Sequence, residues 1–151
     1  MKLSTRCRYA TLALFDLAYH AGEDPTQVRQ IAERQSIPLR FLEQIFQDLK
    51  RAKLVEGKRG RKGGYQLARD PHEISLGDIV RATEGPLEAC MGMDEAPVGP
   101  PTCSQDVCAQ AWADISTRVG RLFDEIALGH LVDRALAAGI PRVDSGYMYF
   151  I

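Results

Sequence analysis

The chain has 151 residues, 45% of them hydrophobic and 26% charged, with a formal net charge of -1; that is enough to bury one core and too little for two large domains with a linker. No run approaches the roughly 18 consecutive apolar residues of a membrane span, and Lys2, Arg6 and Arg8 stand at the N-terminus without a signal-type apolar core, which predicts a cytoplasmic protein with no membrane partner. The near-neutral total conceals an asymmetry, because residues 1–85 carry 15 Lys or Arg against 11 Asp or Glu while residues 86–151 carry 4 against 9.

Ser4 is placed to cap a helix whose apolar residues Ala10, Leu14, Leu17 and Ala18 recur at helical spacing, ending near Ala21-Gly22. Cys7 lies on the same stripe. After Glu23-Asp24-Pro25, the residues Val28, Ile31 and Ala32 mark a short second helix, and Gln35-Ser36-Ile37-Pro38 breaks before a third that runs to about Ala52. Short helix, tight turn and longer helix form a helix-turn-helix pattern. The third helix carries an apolar stripe of Leu39, Leu42, Phe46 and Leu49 and leaves Arg40, Glu43, Gln44, Gln47, Lys50 and Arg51 facing outward.

Two strand-like runs follow, Leu54-Val55-Glu56 and Tyr65-Gln66-Leu67, joined by a segment rich in Gly, Lys and Arg, which predicts a β-hairpin wing. Ser75 caps a fourth helix through Ile79, Val80 and Ala82, closed by Gly85-Pro86. Residues 86–104, rich in proline, read as an irregular loop. Beyond it Cys108, Trp112, Ile115, Val119, Leu122 and Ile126 alternate spacings of four and three, a seam suited to pairing a long helix with a partner. Leu128-Gly129 is expected to interrupt that helix before a last short one over Leu131 to Ala138. The expected fold class is mainly α with a small β-hairpin wing. Its organisation is a winged helix-turn-helix over 1–85, a cysteine-containing sensor loop over 86–104, dimerisation helices over 105–139 and a tail over 140–151.

Between Lys50 and Lys62 there are seven cationic residues and one acid, Glu56, a density that would attract phosphates and make binding strongly salt-dependent through counterion release. A charge run alone is usually a solvated face. Here it coincides with a helix-turn-helix and a glycine-flanked hairpin, which points to a double-stranded DNA partner. The expected contacts are Pro38, Arg40, Glu43, Gln44, Gln47, Lys50 and Arg51 on the third helix, and Arg59, Arg61 and Lys62 on the wing. Arg, Glu and Gln side chains are able to address base edges. Nothing indicates an enzyme. His20, His72 and His130 have no triad spacing, Cys103 and Cys108 make no Cys-x-x-Cys turn, and Gly60 to Gly64 sits in a basic hairpin rather than a phosphate loop.

The segments Met1-Lys2-Leu3-Ser4-Thr5-Arg6, Arg8-Tyr9-Ala10, Ile31-Ala32-Glu33-Arg34, Phe41-Leu42-Glu43-Gln44-Ile45-Phe46, Gly63-Gly64-Tyr65 and Ile74-Ser75-Leu76-Gly77-Asp78-Ile79 carry a resemblance. The chain resembles the bacterial winged helix-turn-helix regulators that include the iron-sulfur cluster regulator IscR, the nitric-oxide sensor NsrR and the cysteine-metabolism repressor CymR, with a pattern of the IscR type. The resemblance implies a homodimer paired through the long helix and reading a two-fold-related operator. It also implies that Glu43 and its neighbours contact bases and that Arg59 reaches into the groove from the wing. Pro38 and Arg40 replace small hydroxyl residues of IscR-like members, which implies a different operator.

Four cysteines, Cys7, Cys90, Cys103 and Cys108, in a reducing compartment suit metal binding or redox sensing better than structural disulfides. The resemblance implies that Cys90, Cys103 and Cys108 hold an iron-sulfur cluster, 2Fe-2S or 4Fe-4S. Their spacing is Cys-x12-Cys-x4-Cys, wider than in the family, and Ala109-Gln110-Ala111-Trp112 stands where IscR-like members carry a His. Cys7, Asp94, Glu95 and a ligand from outside the protein are the candidates for the fourth position. Zinc binding and a cluster-free site that responds by thiol chemistry or to a small ligand are the alternatives.

Overall fold

The computed structural model describes residues 3–20, 24–91 and 103–143. The expected helix-turn-helix forms from α1 (Thr5–His20), α2 (Val28–Gln35) and α3 (Leu39–Arg51). Ser4 caps α1, its Oγ accepting the Cys7 N–H at 3.2 Å. The helix contributes Ala10, Ala13, Leu14 and Leu17 to the core as the sequence periodicity requires. Helix α2 ends in a left-handed residue, Ser36, with φ 53°. Pro38 at the N-cap of α3 then aims the third helix across the first two. In α3 the apolar face is Leu42, Ile45, Phe46 and Leu49, with Leu39 only partly buried against the core.

Strands β1 (Val55–Lys58) and β2 (Gly64–Leu67) pair antiparallel with Val55 opposite Leu67 and Lys58 opposite Gly64, leaving residues 59–63 as the wing tip. A 3-10 turn (Pro71–Glu73) leads to α4 (Leu76–Glu84). The start of α4 is a reciprocal cap, in which Ser75 Oγ accepts the Asp78 N–H at 3.0 Å and the Asp78 carboxylate accepts the Ser75 N–H at 3.1 Å.

The stretch expected to be wholly irregular contains a one-turn helix, α5 (Leu87–Cys90), directly after Gly85-Pro86. Proline just ahead of the helix costs no helical hydrogen bond, because its missing N–H has no partner within the helix, and the Pro86 carbonyl accepts the Cys90 N–H at 3.2 Å. Leu87 holds this turn in place by burying its side chain beside Cys7 and Val80. The long helix, α6 (Cys103–Glu125), starts at the second loop cysteine rather than after it. Its break also differs from expectation. Leu128 and Gly129 do not interrupt the helical region but open α7 (Leu128–Ala137), the break falling at Ile126-Ala127. There the chain runs beside the start of α4, with the Leu76 N–H donating to Ile126 O and the Leu128 N–H to Ile74 O, both at 2.8 Å.

Helix α1 is the hub of the molecule, in contact with α2, α3, α4 and α7. Helix α6 leans on α4 through Asp124, which accepts from Arg81 Nη2 at 2.7 Å and from the Ser75 hydroxyl at 3.3 Å. A Cβ on Gly77 would stand 1.9 Å from the Asp124 carboxylate, so only glycine permits this approach. No helix among the described residues is long and apolar enough to cross a membrane.

Candidate nucleic-acid interface and cysteine region

One face of the molecule gathers the basic residues. A concavity of about 540 Å³ opens between α2, α3 and the wing, lined by Val28, Arg40, Glu43, Gln44, Gln47 and Tyr65. All ten residues expected to contact DNA, Pro38, Arg40, Glu43, Gln44, Gln47, Lys50, Arg51, Arg59, Arg61 and Lys62, are exposed. They do not stand alike. Arg51 is committed to an ion pair with Asp48 at 3.2 Å, a carboxylate that Arg6 also grips. Arg40, Lys50, Arg59, Arg61 and Lys62 have no carboxylate partner among the described residues. Their charge is uncompensated and available to an anion. Lys58, also on the wing, is instead held by Glu56 at 3.3 Å. Lys58 and Gln66 together push the Glu56 carboxyl below its ordinary value.

The relative placement of helix and wing is built by a contact that periodicity could not reveal. Thr26, ahead of α2, is 3% exposed and makes a two-way backbone bridge to β2: its N–H donates to Tyr65 O at 2.9 Å, and the Tyr65 N–H donates to Thr26 O at 2.8 Å. The hairpin therefore extends onto the chain that enters α2. The Tyr65 ring then lies on Phe46 of α3, with centroids 4.7 Å apart, so the wing is fixed to both helices of the reading head. Gly64 makes the approach possible, because a Cβ there would meet Thr26 carbonyl atoms at 2.5 Å.

Behind this head, Asp16 of α1 is fully buried and accepts from Arg34 Nε at 3.2 and 3.1 Å and from Gln35 Nε2 at 2.8 Å. This bidentate pair fixes the end of α2 against α1. Neither the Thr26 bridge nor the Asp16 pair carries a local sequence signal. Both depend on residues brought together from separate elements.

Cys7 and Cys90 meet in a separate cluster. Cys7 is 3% exposed and forms a small apolar cluster with Val80 and Leu87, against which Leu3, Cys90, Met91, Val119 and Phe123 pack. Burial pushes the Cys7 thiol above its ordinary range, while a hydrogen bond with Thr83 opposes the shift and the charges of Glu84 and Cys90 add to it. Cys90, half-buried at the end of α5, directs its Sγ toward Glu84 O at 3.8 Å. Cys103 begins α6, and Cys108 is exposed farther along the same helix. Asp94 and Glu95 lie outside the described residues. Among the described residues no three His, Cys, Asp or Glu side chains gather in a metal-holding arrangement. Of the expected seam on α6, Trp112, Ile115, Leu122 and Ile126 are exposed, Val107 with them. Val119 instead turns inward to the Cys7 cluster.

A family model described as Rrf2, iron-dependent transcriptional regulator, matches residues 3–134. The HTH-type transcriptional regulator IscR of Vibrio campbellii is 36% identical over 134 residues, covering 87% of this chain and 77% of that protein. The solved structure of CymR, the global cysteine regulator of B. subtilis, superposes with a TM-score of 0.72 at 32% identity, covering 89% of this chain and 98% of that one. That of T. potens IscR also gives 0.72, at 34% identity, covering 99% and 97%.

Proposed function

We infer the function from kinship and geometry together: the chain belongs to the Rrf2 family of transcriptional regulators. Its relatives are regulators rather than enzymes, and a DNA-binding winged helix is the working part. We propose that a homodimer grips an operator with two reading heads. In each, Arg40, Glu43, Gln44 and Gln47 address base edges, while Lys50, Arg59, Arg61 and Lys62 neutralise phosphates or reach into the adjacent groove. The observation that carries this reading is the set of unpaired cations around a concavity whose two walls, α3 and wing, are locked together through Thr26 and Tyr65. Arg51, held by Asp48, serves mainly to shape the helix end. The exposed apolar side of α6 supports pairing of the two copies, with half-sites about one helical turn, or ~34 Å, apart or a multiple of it.

Selection of duplexes from a random-sequence pool, followed by affinity measurement across a salt series, tests the proposal. Arg61→Ala and Lys62→Ala should each reduce the slope of log affinity against log salt by about 1 for every phosphate that is no longer neutralised. Gln44→Ala should relax preference at one base pair, worth ~1–3 kcal/mol. A protein that binds no selected duplex better than random DNA at physiological salt does not act this way. Gly64→Ala is the sharper structural variant. It should unseat the wing from Thr26 and lower affinity roughly tenfold, an overpacking cost of ~1–3 kcal/mol, with helical content unchanged by circular dichroism. Equal affinity would show that the bridge does not position the wing.

The signal reaches the head through the α5–α6 region, which packs on α1 and α4. The family description as iron-dependent, together with the sequence resemblance to cluster-binding regulators, supports an iron-sulfur ligand there. The inward-facing Cys90 beside Cys7 favours a second reading, a response by the thiols themselves. Iron and acid-labile sulfide counted on anaerobically purified protein separate the two: iron with matching sulfide in every subunit supports a cluster, and a colourless, iron-free protein after reconstitution supports the thiols.

A further inference from the structure

The Cys7 cluster places two thiols from distant parts of the chain in one apolar pocket. Cys7 comes from the first turn of the hub helix α1 and forms the cluster with Val80 and Leu87, and Cys90, the last residue of α5, packs against that cluster together with Val119 and Phe123. The pocket is unequal in access, since Cys7 is 3% exposed and Cys90 is half-buried and reachable from solvent. The Cys7 thiol is enclosed among the helices, where it hydrogen-bonds with Thr83. Cys108, by contrast, stands exposed on α6.

We propose that Cys7 and Cys90 are a peroxide-responsive dithiol site within one subunit, Cys90 the thiol attacked and Cys7 the thiol that resolves it. The inference rests on the reading of the α5–α6 region as the sensor. A hydroperoxide transfers its terminal oxygen to Cys90 Sγ, giving a sulfenic acid and releasing water or an alcohol. Cys7 Sγ then forms the S–S bond as the sulfenic oxygen leaves as water. The two thiols together lose two electrons and two protons, and the peroxide O–O bond is the one reduced. The product ties α5 to α1, the helix on which the reading head is built.

The test uses the full-length, metal-free, reduced protein exposed to hydrogen peroxide in slight excess, digested without reductant and mapped by mass spectrometry. Most of the protein should yield a Cys7–Cys90 linked peptide, reversed by dithiothreitol, retained in Cys108→Ser and abolished in both Cys7→Ala and Cys90→Ser. Circular dichroism checks that Cys7→Ala is folded, and Cys90→Ser gives the same readout from the less buried side. A linkage that pairs Cys90 with Cys103 or Cys108, or an oxidation that stops at Cys90 sulfinic acid with Cys7 intact, overturns the proposal. Affinity for a pool-selected duplex, measured on the same samples, isolates the parent reading. A roughly tenfold change on oxidation, typical of allosteric coupling, supports both. An intact Cys7–Cys90 linkage with unchanged affinity supports the dithiol site and refutes the sensor role of this region.

Discussion

Replacing Asp16 by alanine should lower stability by about 3–5 kcal/mol and the thermal midpoint by ~10–15 °C, the largest effect expected of any single substitution outside the apolar core. The carboxylate is fully buried and accepts hydrogen bonds from Arg34 and Gln35. Removing it strands the Arg34 guanidinium, whose side chain is 8% exposed, without water or a counter-charge. Most of the loss belongs to that stranded charge and not to the attraction itself. The double variant Asp16→Leu with Arg34→Met should therefore recover much of it, while Asp16→Asn, which keeps one acceptor, falls between. Thermal or urea unfolding of the four proteins, with the single variants Asp16→Leu and Arg34→Met added to complete the double-mutant cycle, measures these differences. If Asp16→Ala alone is within about 1 kcal/mol of the parent, the pair does not have the worth of a buried ion pair and does not fix α2. Because α2 also carries the chain that meets the wing, Asp16→Ala should weaken DNA binding beyond its effect on the folded fraction.

That pair shows which parts of the molecule are legible in the sequence. The helix-turn-helix is readable because α1 and α3 bury whole stripes, Ala10, Leu14 and Leu17 in one and Leu42, Phe46 and Leu49 in the other. The Ser36 to Pro38 turn also has strong local chemistry. The wing is readable for the same local reasons. What stays hidden are choices of partner made across the fold: Asp16 for Arg34, Thr26 for Tyr65, Asp124 for Arg81 and Ser75. The turn of helix at Leu87–Cys90 is masked by the prolines around it, since its stability comes from Leu87 burying beside Cys7 rather than from propensity. The seam on α6 is correct in period but mixes two faces. Val119 belongs to the intramolecular contact, and Trp112, Ile115 and Leu122 form an exposed apolar face.

That face leads to the second large effect. Leu122→Glu should convert the proposed dimer to monomer and lower operator affinity by about 10²–10⁴-fold, the gain that two linked reading heads have over one. Leu122 is 60% exposed and lies in line with Trp112 and Ile115, which are 57% and 43% exposed. It contributes nothing to the core clusters of its own subunit, so the subunit should fold, its thermal midpoint changed only by the absence of association. In the proposed dimer a glutamate there would face its own symmetry mate or be buried in apolar surroundings, and both are unfavourable. Sedimentation or light scattering reads the mass. The DNA measurement adds an independent signature, because one head neutralises about half the phosphates of two, so the salt slope should fall by about half along with the affinity. A variant that remains dimeric would place the dimer contact elsewhere, and one that turns monomeric and keeps both affinity and slope would show that pairing of the two copies does not contribute to DNA reading. A monomer with half the slope ties the exposed side of α6 to the reading of a two-fold operator.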